Sequence, residues 1–262
     1  MCSFDYAGGL KHTNPAMERA TKRTGEAVMG NIESLRRSVQ VCMFDQYGTV
    51  VDMQSGLTEV AAPFLKRKGW GGDPNAFVTW WRRTHFENSM IDALLHKEHT
   101  PYREIGQRAV AYVLERAGIA HTMDEVRALV GAIETLRPFP EVPAALDRLR
   151  TRYKLVVLSN GDPDMLEAAK RHHGIAFDRV ISVAEANSFK PHVATYTKAA
   201  ALMGVRLDQV LFVANHAFDC IGAKAAGMQT AFIDRRQRPF GTTPHQPDIL
   251  VRSMTELADV MV

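Results

Sequence analysis

The sequence predicts an α/β fold: a Rossmann-like parallel sheet core with an inserted all-helical cap. Three observations carry that expectation. From residue 39 short β-rich runs alternate with helical patterns, which implies a parallel sheet covered on both faces. The stretch 56–137 breaks the alternation and reads as helix after helix, with no strand candidate between them. "RPFPEVP" (137–143), with its three prolines, marks the return to the core. The domain plan is therefore an N-terminal extension (1–38), a core (39–55 and 138–262) and a helical cap (56–137).

The extension lacks an apolar run of the kind a secretory signal needs. From Asn14 onward it has a helix signature, with Asn14 as cap, Pro15 in the first turn, and Met17, Ala20, Val28 and Ile32 partly on one side. It reads as a packed extension or as an oligomer contact.

The strand candidates are "VQVCMFD" (39–45), "KLVVLSN" (154–160), "RVISV" (179–183), "QVLFVAN" (209–215) and "QTAFID" (229–234). Each is too brief for a helix and is bounded by turn or charged residues. The core helices are "DPDMLEAAKRHHG", "KPHVATYTKAAALMG" and "FDCIGAKAAG", ending at Gly174, Gly204 and Gly227. The cap helices are "LTEVAAPFLKRKG", "NAFVTWWRRTHFENSMIDALL", "YREIGQRAVAYVLERAG" and "MDEVRALVGAIETL".

Composition bounds the class. At 262 residues, with 46% apolar and 23% charged, the chain reads as an ordinary globular enzyme. The formal charge of +3 is spread without a basic stripe, which argues against nucleic acid as a partner. No run approaches a bilayer span, so no membrane partner is expected. Cys2, Cys42 and Cys220 lack CxxC spacing, which disfavours a disulfide framework or zinc site and fits a reducing cytoplasm.

In an open parallel sheet, ligands bind at the carboxyl ends of the strands. Those ends carry Asp45, then Ser159 and Asn160, then Asn215, His216 and Asp219, while Lys190 follows the third strand candidate. Each alone has a bland explanation as a turn former, loop residue or solvated charge. Together they point to an active site.

The ordered set resembles the haloacid dehalogenase superfamily. Asp45-Gln46-Tyr47-Gly48-Thr49 matches its aspartate-nucleophile motif, Ser159 its strand-end hydroxyl, Lys190 its lysine and Asp219 its fourth-motif acid. Phosphatases of that superfamily place a second acid two residues after the nucleophile, to protonate a poor leaving group, and ligate Mg²⁺ with paired acids later in the chain. Tyr47 stands in the first of these positions, and Asp219 has no adjacent carboxylate. That pattern suits a group that departs as a stable anion, and "FDQYGT" is similar to the type II 2-haloacid dehalogenase branch.

The resemblance implies a small carboxylate substrate, a halide product, no cofactor and no metal, and a possible homodimer. Asp45 would attack the halogen-bearing carbon and form an ester, which water then hydrolyses. Lys190 would hold Asp45 ionised. Thr49 and Ser159 would donate hydrogen bonds, and the amides around Gln46 and Tyr47 would add to a carboxylate site. Arg82 best matches the family's cap arginine; Arg83 points about 100° away around the helix. Trp81, Phe86 and Met90 are candidates for an apolar wall. Asn160 matches an asparagine near the halide, and Tyr196 a tyrosine close to the substrate. The fourth motif departs from the family's "SSNxWD": Ala214 replaces its first serine, and His216 replaces its asparagine, with Asn215 between them. His216 reads either as a general base for ester hydrolysis, oriented by Asp219, or as a loop histidine. Alternatives are ring opening of azetidine-2-carboxylate, a phosphatase, or a non-catalytic interaction module.

Overall fold

The computed structural model describes residues 31–95 and 98–262. The helix expected from Asn14 lies outside these residues apart from its end; residues 31–38 are helical. Ser38–Val262 is one compact unit.

The core is a six-stranded, wholly parallel sheet in the order β3-β2-β1-β4-β5-β6. β1 (Val41–Phe44), β2 (Lys154–Ser159), β3 (Arg179–Ser182), β4 (Val210–Ala214) and β5 (Gln229–Ile233) lie within the five expected runs. All four side chains of β1 are buried, as a central strand covered on both faces requires. β6 (Ile249–Val251) and the closing helix Met254–Met261 were not expected from the sequence.

Between β1 and β2 come α1 (Met53–Arg67), α2 (Pro74–Leu94), α3 (Tyr102–Arg116) and α4 (Met123–Gly131), the last continued by a short 3₁₀ turn at Ala132–Thr135. α1 begins at Met53, ahead of the boundary expected at 56, because Asp52 caps it by accepting the Ser55 N–H. α2 follows the same logic: the Asp73 side chain accepts the Asn75 and Ala76 N–H groups, and Pro74 opens the first turn. α4 starts on a capping box formed by Thr122 and Glu125. The four helices pack mainly on one another, burying Phe77, Trp81, Val110, Leu114 and Val130.

The helices after β2 return to the core: α6 (Pro163–His173), α7 (Val193–Met203) and α8 (Ala217–Ala226), with α5 (Val142–Arg150) before it and α9 (Met254–Met261) at the end. Strand order reverses at β1, whose neighbours β2 and β4 lead to opposite sides. That switch point opens a crevice at the strand tips, directly above Asp45. Among the described residues, no helix is long and apolar enough to cross a membrane.

Candidate active site

Asp45 follows β1 immediately, and its N–H bonds to the Val213 carbonyl of β4 at 3.0 Å. The residue is 6% exposed, so its charge must be met by protein groups. Lys190 Nζ donates to Asp45 Oδ1 at 2.9 Å, and Thr49 Oγ1 donates to Asp45 Oδ2 at 2.7 Å. His216 Nδ1 stands 3.5 Å from the same Oδ2. Burial alone would raise the Asp45 pKa; Lys190 and His216 outweigh it and hold the carboxyl well below the usual range. Asp45 is therefore a carboxylate at any ordinary pH.

Lys190 uses all three of its donors. Besides Asp45 it bonds Asp219 Oδ2 at 2.7 Å and the Leu158 carbonyl at 3.0 Å. Burial disfavours its charge, but Asp219 and Asp45 more than compensate and its pKa is raised. Asp219 is wholly buried, and its other oxygen accepts the Tyr196 hydroxyl at 2.6 Å. Burial raises the Asp219 pKa against the pull of Lys190. With no donor left over, Lys190 holds the nucleophile and has none to spare for a substrate.

Thr49 is oriented from the other side. Its Oγ1 accepts the Asn215 N–H at 2.9 Å, which aims the hydroxyl hydrogen at Asp45. Asn215 Nδ2 in turn bonds the Gly48 carbonyl at 2.9 Å and ties the β1 and β4 tips together. Gly48 has φ +94, and a Cβ there would meet His216 Cε1 at 3.0 Å and Arg82 Nη2 at 3.4 Å. Only glycine permits that backbone and that approach.

A cavity of about 510 Å³ opens over Asp45. Of the expected residues, Asp45, Tyr47, Arg82, Asn160, Lys190 and His216 line it. Arg82 reaches in from α2 and donates from Nη1 to Gln54 Oε1 at 2.8 Å. Burial, then the neighbouring Arg236, lowers its pKa to about 10, so it stays charged. Asn160 Oδ1 accepts the Lys190 N–H at 3.0 Å, fixing the loop that carries the lysine. The Tyr47 ring stacks on Tyr102 at 5.8 Å, and its hydroxyl is buried without a protein partner. A Cβ on Gly161 would lie 2.6 Å from that hydroxyl, so Gly161 makes room for the tyrosine.

Several expectations are corrected. Tyr196 does not reach the cavity; it is fully buried and acts on Asp219 from behind. Asp219 does not orient His216, because both its oxygens are taken by Lys190 and Tyr196. The His216 ring instead packs on Phe218 (5.5 Å), which packs on Phe86 of α2 (4.0 Å). Ser159 is fully buried, with Oγ accepting the Gly161 N–H at 3.2 Å, and neither it, Thr49, Gln46 nor Asn215 is part of the cavity wall. Phe86 lines the cavity as expected, whereas Trp81 is cap core and Met90 is not part of the wall. Arg83 also reaches the wall, although its helix position suggested otherwise.

As for a metal, no group of three or more His, Cys, Asp or Glu side chains converges among the described residues. Asp45 and Asp219 both spend an oxygen on the same ammonium. A divalent ion bound to either acid would sit against that positive charge.

A family model for haloacid dehalogenase-like hydrolases matches residues 39–227. The chain belongs to that family. It is 33% identical over 201 residues to an (S)-2-haloacid dehalogenase of Xanthobacter autotrophicus, covering 75% of this chain and 76% of that protein. It is 27% identical to haloacetate dehalogenase H-2 of Moraxella sp. (strain B), over 86% of this chain and 99% of that one. Among solved structures, the Xanthobacter autotrophicus L-2-haloacid dehalogenase with chloropropionic acid covalently bound superposes with a TM-score of 0.74. That pair is 28% identical and covers 85% of this chain and 98% of that one. A defluorinating L-2-haloacid dehalogenase gives a TM-score of 0.75 at 29% identity, covering 85% and 95%. These relatives place the chain in the type II branch of the family.

The wall also contains residues that sequence reasoning missed: Met53 and Gln54 of α1, His85 of α2, Tyr102 of α3, Phe218 of α8, and Arg236 and Arg238. His85 stacks on Tyr102 at 3.9 Å, and its Nε2 donates to the Tyr102 carbonyl at 3.0 Å. Its Nδ1 is then a bare, buried acceptor without a protein partner. Protonation would strand a charge there, so burial lowers the His85 pKa to about 4. The unfolded chain keeps a histidine pKa near 6.5 and so binds the proton first as pH falls. Stability is therefore lost as pH drops through the window between those two values. The expected loss between pH 6.5 and 4.5 is about 2–3 kcal/mol more in the wild type than in His85→Gln. Urea unfolding of both proteins at the two pH values measures it, and equal losses would refute it.

Proposed function

We propose that this chain is a hydrolytic dehalogenase that converts a short 2-haloalkanoic acid to a 2-hydroxy acid and halide through an ester on Asp45. The observation that carries the proposal is a buried carboxylate, held ionised beneath a cavity, with Tyr47 where a proton-donating acid would serve a poorer leaving group. One Asp45 oxygen attacks C2, the C–halogen bond breaks, and the halide leaves with the bonding pair. Water then adds to Asp45 Cγ, the ester C–O bond breaks, and the 2-hydroxy acid and one proton are released. The carboxylate is thereby regenerated.

Each surrounding group has a place in that sequence. Lys190 and Thr49 fix the carboxylate for attack. The amide of Tyr47, a residue of the cavity wall, has no backbone acceptor among the described residues and suits the substrate carboxylate; Gln46 lies outside the wall. Arg82 and Asn160 face the departing halide. His216 lies close enough to take a proton from water attacking Cγ. Asp219 and Tyr196 are positioning residues that act through Lys190, and Asn215 acts through Thr49. Ser159 shapes the loop that bears Asn160. The helices of residues 56–137 serve as a cap that brings Arg82 and Phe86 over the nucleophile and limits water.

A panel of chloroacetate, 2-chloropropionate and phosphate monoesters, followed by free halide and free phosphate, tests the assignment. Halide release without added metal and undiminished by EDTA is expected. Metal-dependent phosphate release as the main activity would contradict it, and ring opening of azetidine-2-carboxylate without halide release would redirect it. For His216→Ala, the expected outcome is ester breakdown slowed by about 10²-fold, with alkylated enzyme accumulating to be seen by mass spectrometry. An unchanged deacylation rate would return His216 to a packing role.

A further inference from the structure

The cavity carries more positive charge than a single substrate carboxylate would meet. Its wall holds Arg82, Arg83, Arg236, Arg238 and Lys190 against one carboxylate, Asp45. Lys190 is committed to Asp45 and Asp219. Among the described residues none of the four arginines has a carboxylate within ion-pair distance, and Arg82 bonds only the neutral Gln54.

Arg236 and Arg238 lie in the segment between β5 and β6, and that segment is fastened to the core. Arg235 Nη1 donates to Glu141 Oε1 at 2.5 Å and its Nη2 to the Thr49 carbonyl at 3.2 Å. Its guanidinium lies over the Phe139 ring at 3.8 Å. The Arg238 N–H donates to Asp234 Oδ1 at 2.9 Å, and Gln237 between the two arginines is left-handed at φ +51. The turn thus presents two guanidiniums at the mouth from an anchored base.

These groups repel one another. Burial and then Arg238 lower the Arg236 pKa, and Arg236 in turn lowers that of Arg82. Asp52 and Asp45 offset this only in part, and no carboxylate among the described residues pairs with these arginines. Like charges left so are relieved by an anionic ligand, and guanidiniums bind carboxylates with directed, paired hydrogen bonds. The cavity, at about 510 Å³, lies in the range that buries drug-sized ligands, and a two- or three-carbon acid leaves much of it unfilled.

We propose that the substrate is a 2-halo acid bearing a second carboxylate, and that Arg236 and Arg238 bind that distal group at the mouth. The proposal rests on the dehalogenase reading for the reacting end of the molecule. It makes Arg236 and Arg238 determinants of substrate class.

Two measurements on the full-length protein and on Arg236→Gln/Arg238→Gln test it. The first is calorimetric binding of succinate and butyrate, an unreactive diacid and monoacid of equal carbon number. Succinate is expected to bind about tenfold or more tightly than butyrate in the wild type, and the gap to close in the double variant. The second is the ratio of kcat/KM for 2-chlorosuccinate over 2-chlorobutyrate, read as chloride release. That ratio is expected to exceed about ten in the wild type and to fall about tenfold or more in the double variant. Equal binding of succinate and butyrate, or a ratio the double variant leaves unchanged, overturns the proposal. Chloride release from 2-chlorobutyrate with no succinate preference overturns it while leaving the dehalogenase reading intact. A succinate preference that the double variant abolishes, without chloride release from either acid, supports the distal anion site and overturns the dehalogenase reading instead.

Discussion

Asp45→Asn is expected to lower halide release by about 10⁴-fold or more, because the variant removes the attacking group while changing almost nothing else. An amide is nearly isosteric with the carboxylate but carries no charge to deliver to carbon. The fold is expected to survive. Lys190 keeps its 2.7 Å bond to Asp219, so the buried cluster becomes a neutral pair in place of one cation between two acids. The thermal midpoint and the rate of halide release, measured on the same preparation, separate the two effects. A variant that is folded and still releases halide at the wild-type rate contradicts covalent catalysis by this residue.

Lys190→Met is expected to damage both stability and activity, since it strips the shared counter-charge from Asp45 and Asp219 at once. Breaking a buried pair by removing one partner costs about 3–5 kcal/mol, because the remaining charge is left without compensation. The pH dependence gives the mechanism away. In the wild type the folded-state pKa of Asp45 is depressed, so its contribution to stability is present above the unfolded value and fades only as pH falls below it. Without Lys190 nothing opposes the burial that already raises the Asp219 pKa except the Tyr196 hydroxyl, and Asp45 loses the larger of the two charges that hold its pKa down. The folded state then binds more protons than in the wild type, and stability falls relative to the wild type as pH rises. Lys190→Met is therefore expected to lie further below the wild type at pH 7.5 than at pH 5 in urea unfolding. A deficit that is the same at both values means that packing, and not charge, is what the lysine supplies.

Much of this site was legible in the sequence because its parts fall at strand ends. β1, β2 and β4 announce themselves as short apolar runs, and the polar residues that follow them meet at the switch point whatever the loops do. Tyr47 and Lys190 were legible in the same way, as a departure from a motif and as a member of one. The cap's contribution was less so. Arg82 stood out by its charge, but His85 and Tyr102 enter the wall through packing of α2 on α3, a contact between residues 17 apart in sequence that no local pattern encodes. Arg236 and Arg238 lie in a segment with neither helical nor strand periodicity, so nothing assigned them a direction. β6 is three residues long, below the length at which alternation can be read. The helix after it did carry a signal: Ser253 caps Glu256, the S-x-x-E spacing of a helix start. Tyr196 and Asp219 lie behind Lys190 and not in the cavity wall, a placement the sequence could not give, since sequence position does not say which face of a lysine a side chain approaches.

The measurement that bears most directly on the central claim is a single turnover in H₂¹⁸O with enzyme in excess over a 2-chloro acid. Attack by Asp45 on carbon predicts that the product hydroxyl carries unlabelled oxygen from the carboxylate, and that ¹⁸O appears in the peptide containing Asp45. Label found first in the product, with that peptide unlabelled, would mean that water displaces the halide directly and that Asp45 is no nucleophile.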